Sequence, residues 1–384
     1  MGNAFLDQNT IPNAKDLLFS ILQHNSKGGL TFQEVAIEDA LSMSDTQAGV
    51  EALNNIISRT NKMFDQAAQT IKKESLLRPI HNILDSRLAV LRRSARTSIN
   101  AYHPVASLTY DKDTGKKQFE KFLHQSLYAD VAVGYEQDGN MKENVVSTSV
   151  GYDNIWRIDN SRLVLGGAFS VTKLHRNEDD AKDDAMMYSL TGYLSFEQKE
   201  GLELQSYLTA GYLNNDRSFT PEIFLGEQKF DEDSWMLMSS NYFKYHFRKG
   251  PISIRPMILM DIGFTHTSSS ESDYLKRDAI NDASLDLGMG IEFEGTKNDM
   301  GYLFQFTAKR NVLSSADEVG LNLNNADGYI SYGLGNRDDV TFSGNLMISK
   351  RLKHDVTVDV GAGMSASTGG AVGVNANARV RWLF

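Results

Sequence analysis

Apolar and polar residues alternate over long stretches in the C-terminal part of this chain. From residue 372 to residue 384 every second residue is apolar, and the residues between them are mostly small or polar. Successive side chains of a β-strand point to opposite faces, so this pattern predicts a strand with one apolar and one polar face. The apolar face ends on Trp382 and Phe384. Aromatic residues in that position are typical of outer-membrane barrels, where they lie between the apolar band and the headgroups.

The two-residue period begins near Tyr128 and continues to the end of the chain. It predicts strands at 128–137, 143–152, 162–175, 183–198, 202–217, 230–247, 251–267, 280–295, 299–311, 338–350, 354–365 and 370–384. Very short connections alternate with generally longer ones, as the two ends of a membrane barrel require. We therefore predict an all-β transmembrane barrel of about 12 antiparallel strands, preceded by an α-helical N-terminal region. A further short strand at 329–334 is placed inside the longest connection, 312–337.

The first hundred or so residues show helical spacing of their apolar positions. Helices are predicted at 14–23, 32–41, 46–73 and from about 79 to 95, with Pro79 near the first turn of the last helix. Residues 96–126 are interpreted as a linker. No run of about 18 apolar residues occurs, so no transmembrane helix is expected.

Composition narrows the class of protein. The 384 residues exceed the usual single-core domain, so we expect two regions. The net charge of −10 argues against nucleic acid as a partner, because phosphates need a basic surface. The chain contains no cysteine, which excludes disulfides and thiolate metal sites. The N-terminus lacks the basic and apolar regions of a signal peptide, so we expect a fragment of a longer precursor.

Motifs for catalysis or metal binding are missing from the sequence. The eight histidines are scattered without a His-Glu-x-x-His pattern. No Gly-x-Ser-x-Gly elbow followed by a helix occurs. We therefore expect a protein that is not an enzyme, with no catalytic residue, no metal site and no cofactor.

Three local motifs, taken in order, resemble the C-terminal translocator domain of classical monomeric (type Va) autotransporters. Residues 83–92, Ile-Leu-Asp-Ser-Arg-Leu-Ala-Val-Leu-Arg, are similar to the linker helix of that family. Gly151-Tyr152-Asp153 followed by 165–170, Leu-Gly-Gly-Ala-Phe-Ser, resembles its first periplasmic turn and third strand. Residues 201–204, Gly-Leu-Glu-Leu, resemble the start of its fifth strand, and the terminal aromatic residue completes the pattern. Residues 96–126 depart from it, because the family usually passes more tightly from helix to first strand.

The resemblance implies a domain layout and a function. Residues 1–75 would be a helical passenger stem or remnant, 76–126 the linker helix and connection, and 127–384 the translocator barrel. The barrel would lie in the lipid of a Gram-negative outer membrane as a monomer, and would export an upstream passenger in cis by type V secretion. The N-terminal region would then be exposed at the cell surface. The β-barrel assembly machinery would recognise Val380, Trp382 and Phe384 as a β-signal.

The linker helix would thread the barrel lumen and contact its polar wall. Guanidinium groups suit carboxylates in a confined site because they form two parallel hydrogen bonds. The arginines expected to hold the helix are Arg78, Arg87, Arg92 and Arg93. The residues expected on the luminal wall are Arg255, Asp261, Asp282, Asp286, Glu292, Asp355, Asp359, Arg379 and Arg381. An ordinary solvated linker with a charged face is the competing interpretation.

Three other functions remain open from the sequence. The main rival is an outer-membrane porin or channel with a helical plug. An outer-membrane enzyme would need a Ser–His or acid–His constellation, which the sequence does not show. A surface anchor would use the N-terminal helices as an adhesin stem.

Overall fold

A computed structural model of the chain describes most of the C-terminal region and part of the N-terminal region. The described residues are Asp16, Ser20, Gln23, 47–71, 73–97, 124–158, 161–178, 181–198, 201–220, 227–249, 252–297, 300–324, 326–334, 339–353 and 356–383. The helices predicted at 14–23 and 32–41, apart from those three single residues, lie outside the described residues.

Two helices precede the barrel. Helix α1 spans Gln47–Ala68 and helix α2 spans Lys73–Thr97. Both present a stripe of apolar residues at helical spacing, and these residues are buried. Neither is long and apolar enough to cross a membrane. Helix α2 begins before the predicted start, so Pro79 lies inside the helix and not in its first turn. Proline there forfeits a backbone hydrogen bond, and the burial of Leu76 and Leu77 on the same turn offsets that loss.

Twelve long antiparallel strands form a closed barrel, which confirms the predicted fold class. They are β1 (His124–Asp138), β2 (Met141–Ile158), β3 (Ser161–Glu178), β4 (Ala181–Glu197), β5 (Leu202–Phe219), β6 (Gln228–Tyr245), β8 (Ile252–Thr267), β11 (Ile280–Lys297), β12 (Met300–Ser314), β15 (Val340–Lys353), β16 (Val356–Ser367) and β17 (Val372–Leu383). A short β7 (Phe247–Lys249) continues the line of β6 and pairs with β8. The barrel closes where β17 pairs with β1.

The connections divide the barrel into two ends. At one end the strands are joined by short segments, such as 159–160 and 298–299, and both termini of the barrel lie there. At the other end the connections include 220–227, 268–279 and 315–339. We call these the short-turn end and the long-loop end. Two connections at the long-loop end are also tight, and Gly139 has a positive φ in one of them.

A small four-stranded sheet stands at the long-loop end. It consists of β9 (Ser270–Glu271), β10 (Leu275–Arg277), β13 (Glu318–Leu323) and β14 (Ile330–Gly333). The segment predicted at 329–334 is therefore a strand inside the long connection, as expected, but the sheet it joins was not predicted. We call this sheet the platform.

Helix α1 packs on the platform through an apolar core. The helix contributes Ile57, Met63, Phe64, Ala67 and Ala68 to that core. The platform and the ends of the barrel strands contribute Phe219, Phe230, Leu275, Ile280, Val319, Leu321, Leu323, Ile330 and Tyr332. Burial of apolar area of this kind stabilises a small helix–sheet unit.

Closure between the first and last strands can be tested with cysteines, because the chain contains none of its own. Val131 is directly opposite Ala378 in the pairing of β1 with β17. Opposed strand positions meet disulfide geometry, whereas diagonal positions about 7–8 Å apart meet it poorly. We expect Val131→Cys/Ala378→Cys to form a disulfide on oxidation, measured by a mobility shift on a denaturing non-reducing gel.

The matched control pairs Val133→Cys with Ala378→Cys, which shifts the register by two residues. Little disulfide should form in that variant. Equal cross-linking of both variants would contradict this register of closure.

Candidate functional site

The barrel strands carry apolar side chains outward and polar side chains inward. On β17, Trp382 is 42% exposed on the outside, whereas Arg379 and Arg381 are buried on the inside. The same alternation along β8 exposes Ile258 and Ile262 and buries Arg255 and Asp261. An outward apolar band suits lipid, and a polar interior suits water or a polar occupant. The inward side chains therefore form the candidate functional site.

Arg87 of helix α2 makes a two-pronged ion pair with the barrel wall. Its Nε and Nη2 donate to the two carboxylate oxygens of Asp153 over 2.6 and 2.7 Å, and neither side chain is exposed. Nη2 also donates to the hydroxyl of Ser126. The Tyr193 hydroxyl donates to the same carboxylate at 3.0 Å. Charged groups removed from water need this degree of pairing, because an isolated buried charge is strongly unfavourable.

A second arginine, Arg379 on β17, holds α2 from the neighbouring side. Its guanidinium donates to the carboxylate of Asp130 on β1 and to the backbone carbonyl of Ile83 in α2. The ring of Tyr128 lies between the two arginines, 4.8 Å from Arg87 and 5.6 Å from Arg379. Cations over an aromatic face are attracted by its quadrupole, and more strongly when both are desolvated.

Side chains on two further turns of α2 form hydrogen bonds with the wall. Near the start of the helix, Arg78 donates to Glu136 at 2.6 Å and to the Ser365 hydroxyl at 2.9 Å. One turn later, Asn82 accepts a hydrogen bond from Asn345 at 3.2 Å. Helix α2 thus bonds to side chains of β1, β15 and β16 along its first half.

A tyrosine on β5 contacts the helix from another direction. The Tyr207 hydroxyl donates to Asp85 at 2.6 Å, and the Tyr207 ring stacks with His81 at 5.8 Å. Both helix residues are buried. Polar bonds therefore reach α2 from β1, β2, β5, β15, β16 and β17, which lie on different sides of the closed barrel.

An apolar cluster fills the space between these bonds. The helix supplies Leu76, Leu77, Ile80, Leu84, Leu88 and Leu91. The wall supplies Tyr128, Val145, Ile155, Val164, Ala168, Leu174, Ala185, Met187, Tyr193, Tyr207, Leu213, Met236, Met238, Tyr242, Met257 and Leu259. These wall residues come from β1 to β6 and β8, whereas β15, β16 and β17 reach α2 through polar bonds.

Two glycines let two of these tyrosines lie flat on the wall. A Cβ at Gly151 would overlap the Tyr128 ring, and a Cβ at Gly166 would overlap the Tyr193 ring. The hydroxyl oxygens of Tyr193 and Tyr128 then lie 3.2 Å apart. The two glycines thus position both rings beside Arg87 and Asp153.

Other charged residues of the wall, on β6, β8, β11 and β12, pair with one another. Arg255 is bonded to Glu292 at 2.9 Å and to Glu294, and Lys244 is bonded to Glu292 at 2.8 Å. Lys309 donates to Asp261 at 2.6 Å. These groups are buried or nearly so, and their pairing keeps the wall charges compensated without α2.

The structure places the predicted site residues as follows. Arg255, Asp261, Asp282, Asp286, Glu292, Asp359, Arg379 and Arg381 are buried on the inner wall. Asp282 accepts from Ser314, Asp286 accepts from Asn311, and Arg381 donates to Thr357. Asp359 lies 3.6 Å from Arg379. Val380 and Trp382 occupy the outward parity of β17. Asp355, Phe384 and the side chains of Arg92 and Arg93 lie outside the described residues.

The carboxylates that bind the helix arginines were missed by the sequence analysis. They are Asp153 for Arg87 and Glu136 for Arg78. The predicted second strand ended at 152, which left Asp153 in a turn, whereas β2 continues to Ile158. A longer predicted strand would have placed Asp153 on the same inward face as Ser147 and Ser149. The continued alternation past residue 152 was the sequence feature that could have identified this carboxylate.

A cavity of about 780 Å³ lies beside α2, and Leu76, Leu77 and Met236 of the apolar cluster are among its lining residues. Its lining includes Asp282, Asp286, Lys309, Asn311 and Asn345. Among the described residues, no three His, Asp or Glu side chains converge in a way that would hold a metal ion. The cavity is a space between a helix and a barrel wall that both polar and apolar side chains line.

A closed barrel with a lipid-suited outside and a charged inner wall defines an outer-membrane β-barrel. The sequence matches the family described as "Autotransporter beta-domain" over residues 129–379, which is more than half of the chain. The chain belongs to this autotransporter beta-domain family, as the sequence resemblance indicated. Membership places the barrel in the outer membrane of a Gram-negative bacterium.

One solved structure supports the fold, and two others match less closely. The chain is similar to the translocator domain of the autotransporter NalP from Neisseria meningitidis, at 8% identity over 80% of this chain and 98% of that chain, with a TM-score of 0.57. It is also similar to the β domain of the Bordetella autotransporter BrkA, at 14% identity over 67% and 98%, with a TM-score of 0.49. The transport unit of AIDA-I from Escherichia coli matches at 12% identity over 72% and 94%, with a TM-score of 0.43. No curated protein matches the sequence.

The Arg87–Asp153 pair gives a test of the helix contact. Arg87→Met would leave Asp153 buried without its guanidinium, at a cost of about 3–5 kcal/mol in the free energy of unfolding. The double variant Arg87→Met/Asp153→Asn removes the stranded charge and should recover part of that loss. Both changes in stability are measured as the urea concentration at half-unfolding in detergent. The gel mobility of unboiled protein reports the folded fraction at each urea concentration.

A matched control is Arg162→Met, because Arg162 pairs with Glu197 at the short-turn end of the barrel and makes no bond to α2 in the described residues. Its side chain is partly exposed, so its loss should be smaller. If Arg87→Met lowers stability no more than Arg162→Met, the buried pair does not hold the helix.

Proposed function

We propose that this barrel is a translocator that anchors an upstream passenger and exports it to the cell surface, with α2 threading the lumen. The observation that carries the proposal is the buried, two-pronged bond of Arg87 to Asp153 on the inner wall. Family membership supplies the class of function. A helix bonded from several sides of a closed wall is in the position of a chain that has passed through it.

The size of the barrel supports this role. Barrel diameter grows with strand number, and a barrel of about twelve strands has room for one helix but not for a folded domain. A helix with its side chains is about 10–12 Å across. An extended or helical segment could therefore pass, and α2 would then remain in the lumen as a plug.

The proposal includes the remaining partners. Val380, Trp382 and Phe384 would serve as the β-signal for the barrel assembly machinery, the barrel would work as a monomer, and the passenger would precede residue 47 in cis. No catalytic residue is assigned, and the barrel would act without enzymatic activity. The outward position of Trp382 is consistent with recognition of this strand from outside the barrel.

A channel with a helical plug is the second candidate function. The cavity of about 780 Å³ beside α2 is the observation that favours it, because it could admit small solutes once the plug moves. The two candidates differ in whether a polypeptide upstream of the barrel reaches the cell surface.

Surface display separates the two functions. We would place a signal peptide and a short epitope before Asn3, express the fusion in a Gram-negative host and add protease to intact cells. The translocator proposal predicts that protease removes the epitope while the barrel keeps its folded gel mobility. The matched control is the same fusion with Trp382→Gly, which should lower the amount of assembled barrel and of displayed epitope together.

A folded barrel with a protected, periplasmic epitope would contradict the translocator proposal and favour the channel. Display that does not depend on the amount of folded barrel would contradict the export route through this domain.

A further inference from the structure

A row of three charged residues crosses the inner wall at the long-loop end. Arg176 on β3, Asp183 on β4 and Arg217 on β5 are direct lateral neighbours in the strand pairing. All three are at least 97% buried. Arg176 donates to Asp183 at 2.7 Å, and Arg217 lies 3.7 Å from the other oxygen of that carboxylate. The row therefore holds two guanidinium groups on one carboxylate.

The guanidinium groups bind the end of helix α1 through its backbone. Arg217 donates to the carbonyl oxygens of Gln66 and Gln69, and Arg176 donates to that of Thr70 at 2.9 Å. The last carbonyls of a helix have no partner within the helix, and the helix dipole makes that end negative. The two guanidinium groups bind the last-turn carbonyl of Gln66 and the carbonyls of Gln69 and Thr70, which directly follow the helix, without using a side chain of this segment.

The row lies beyond the apolar band of the barrel. Outward aromatic residues Tyr188, Tyr212 and Trp235 are lateral neighbours on β4, β5 and β6. On β4, Asp183 comes five residues before Tyr188 and is therefore nearer to the long-loop end. At the rise of a strand this separation is about 16 Å. The outward positions above the aromatic residues are exposed and polar, among them Asp184, Asp216 and Asp231. The row therefore faces the mouth of the barrel and not the lipid-covered zone.

We propose that Arg176, Asp183 and Arg217 form a receptor for the carbonyl end of a helix, which anchors the bend between α1 and α2 at the mouth of the barrel. We call these three residues the carbonyl receptor. Its ligand is peptide backbone at residues 66–70, so it accepts the segment whatever its side chains. Together with the platform it fixes where the upstream chain leaves the barrel. The inference rests on the proposed function for its setting, because only an exported segment would reach this site in the cell.

Thiol labelling tests the carbonyl receptor. Ala67 is 1% exposed against the platform beside the bound carbonyls, whereas Ser58 on the same helix is exposed. Ala67→Cys and Ser58→Cys would be made singly in the full chain, fused to a signal peptide. A membrane-impermeant maleimide would then be added to intact cells, and gel mobility of unboiled protein would report barrel folding.

The receptor variant is Arg176→Met/Asp183→Asn/Arg217→Met, which removes the donors together with the charge of the carboxylate between them. We expect it to raise the labelling rate of the Ala67→Cys thiol about tenfold or more, because several hydrogen bonds to charged groups are lost. The labelling rate of the Ser58→Cys thiol should not change. Arg217→Lys is the second variant, since an ammonium cannot serve two carbonyls as a fork does, and it should raise the rate at position 67 less.

Two controls define what the receptor recognises. Gln66→Ala/Gln69→Ala/Thr70→Ala changes the side chains but keeps the carbonyls, so the thiol at position 67 should stay protected. Arg162→Met/Glu197→Gln removes an ion pair at the other end of β3 and β4 and should also leave that thiol protected.

The outcomes separate this inference from the proposed function. If the thiol at position 67 is protected equally with the native receptor and with both receptor variants, and the barrel is folded, the receptor is overturned. Exposure of that thiol by the alanine variant would overturn it as well. If the thiol at position 58 is labelled only after the outer membrane is permeabilised, the proposed export fails. The labelling rates at position 67 in solubilised protein would still show whether the carbonyl receptor protects that thiol.

Discussion

The fold of this protein depends on how the barrel compensates the charges on its inner wall. A closed sheet must turn one parity of every strand inward, and here that parity carries many carboxylates and guanidinium groups that are removed from bulk water. Each buried charge needs a partner, because stranding one costs several kcal/mol. The wall meets this requirement in two ways. One sector, around Arg255 and Glu292, pairs its charges internally. The other sector presents Asp153 and Glu136 to a helix that carries the matching arginines.

That division accounts for the ion pairs between α2 and the wall. The sector that needs an external cation also carries the tyrosines and small residues that accept an apolar helix face. Tyr128 contributes to both, since its ring packs in the apolar cluster and lies between Arg87 and Arg379. The cavity beside α2 is lined by residues of both sets, among them Lys309 and Glu136. The same helix is therefore held by charge, by hydrogen bonds and by apolar burial, while part of the interior stays open.

The ends of the barrel differ in the same physical terms. At the long-loop end the strands carry polar residues on their outward face and an apolar core on their inward face, where Phe219 and Phe230 meet α1. This inversion of polarity fits strands that leave the lipid zone and begin a small water-exposed domain. The platform completes that domain, with Arg277 bonded to Glu232 joining it to the barrel. The bend between α1 and α2 lies at the level where the inward face of the strands changes from polar to apolar and the outward face from apolar to polar.

Much of the barrel could be predicted from the sequence, because a two-residue period decides both the strand and the face of each residue. It placed Asp261, Glu292 and Arg379 on the inner wall without any knowledge of the register between distant strands. The partners of the helix were not predictable in this way, since the rotation of α2 and the stagger of the strands decide which carboxylate meets Arg87. The platform sheet was not predicted, for a different reason. Strands as short as Ser270–Glu271 have no period to detect. The predicted start of α2 at Pro79 was wrong, because burial in the folded protein outweighs the low helix propensity of proline.

The central claim is that α2 fills the lumen as a plug held by the charged wall. Single-channel conductance in planar bilayers tests it most directly, with the full chain compared with a chain that lacks residues 1–100. The account predicts that the full chain conducts weakly and that removal of the helices raises the conductance severalfold. Equal conductance of the two proteins would contradict it, because the lumen would then be equally open or equally closed with and without α2.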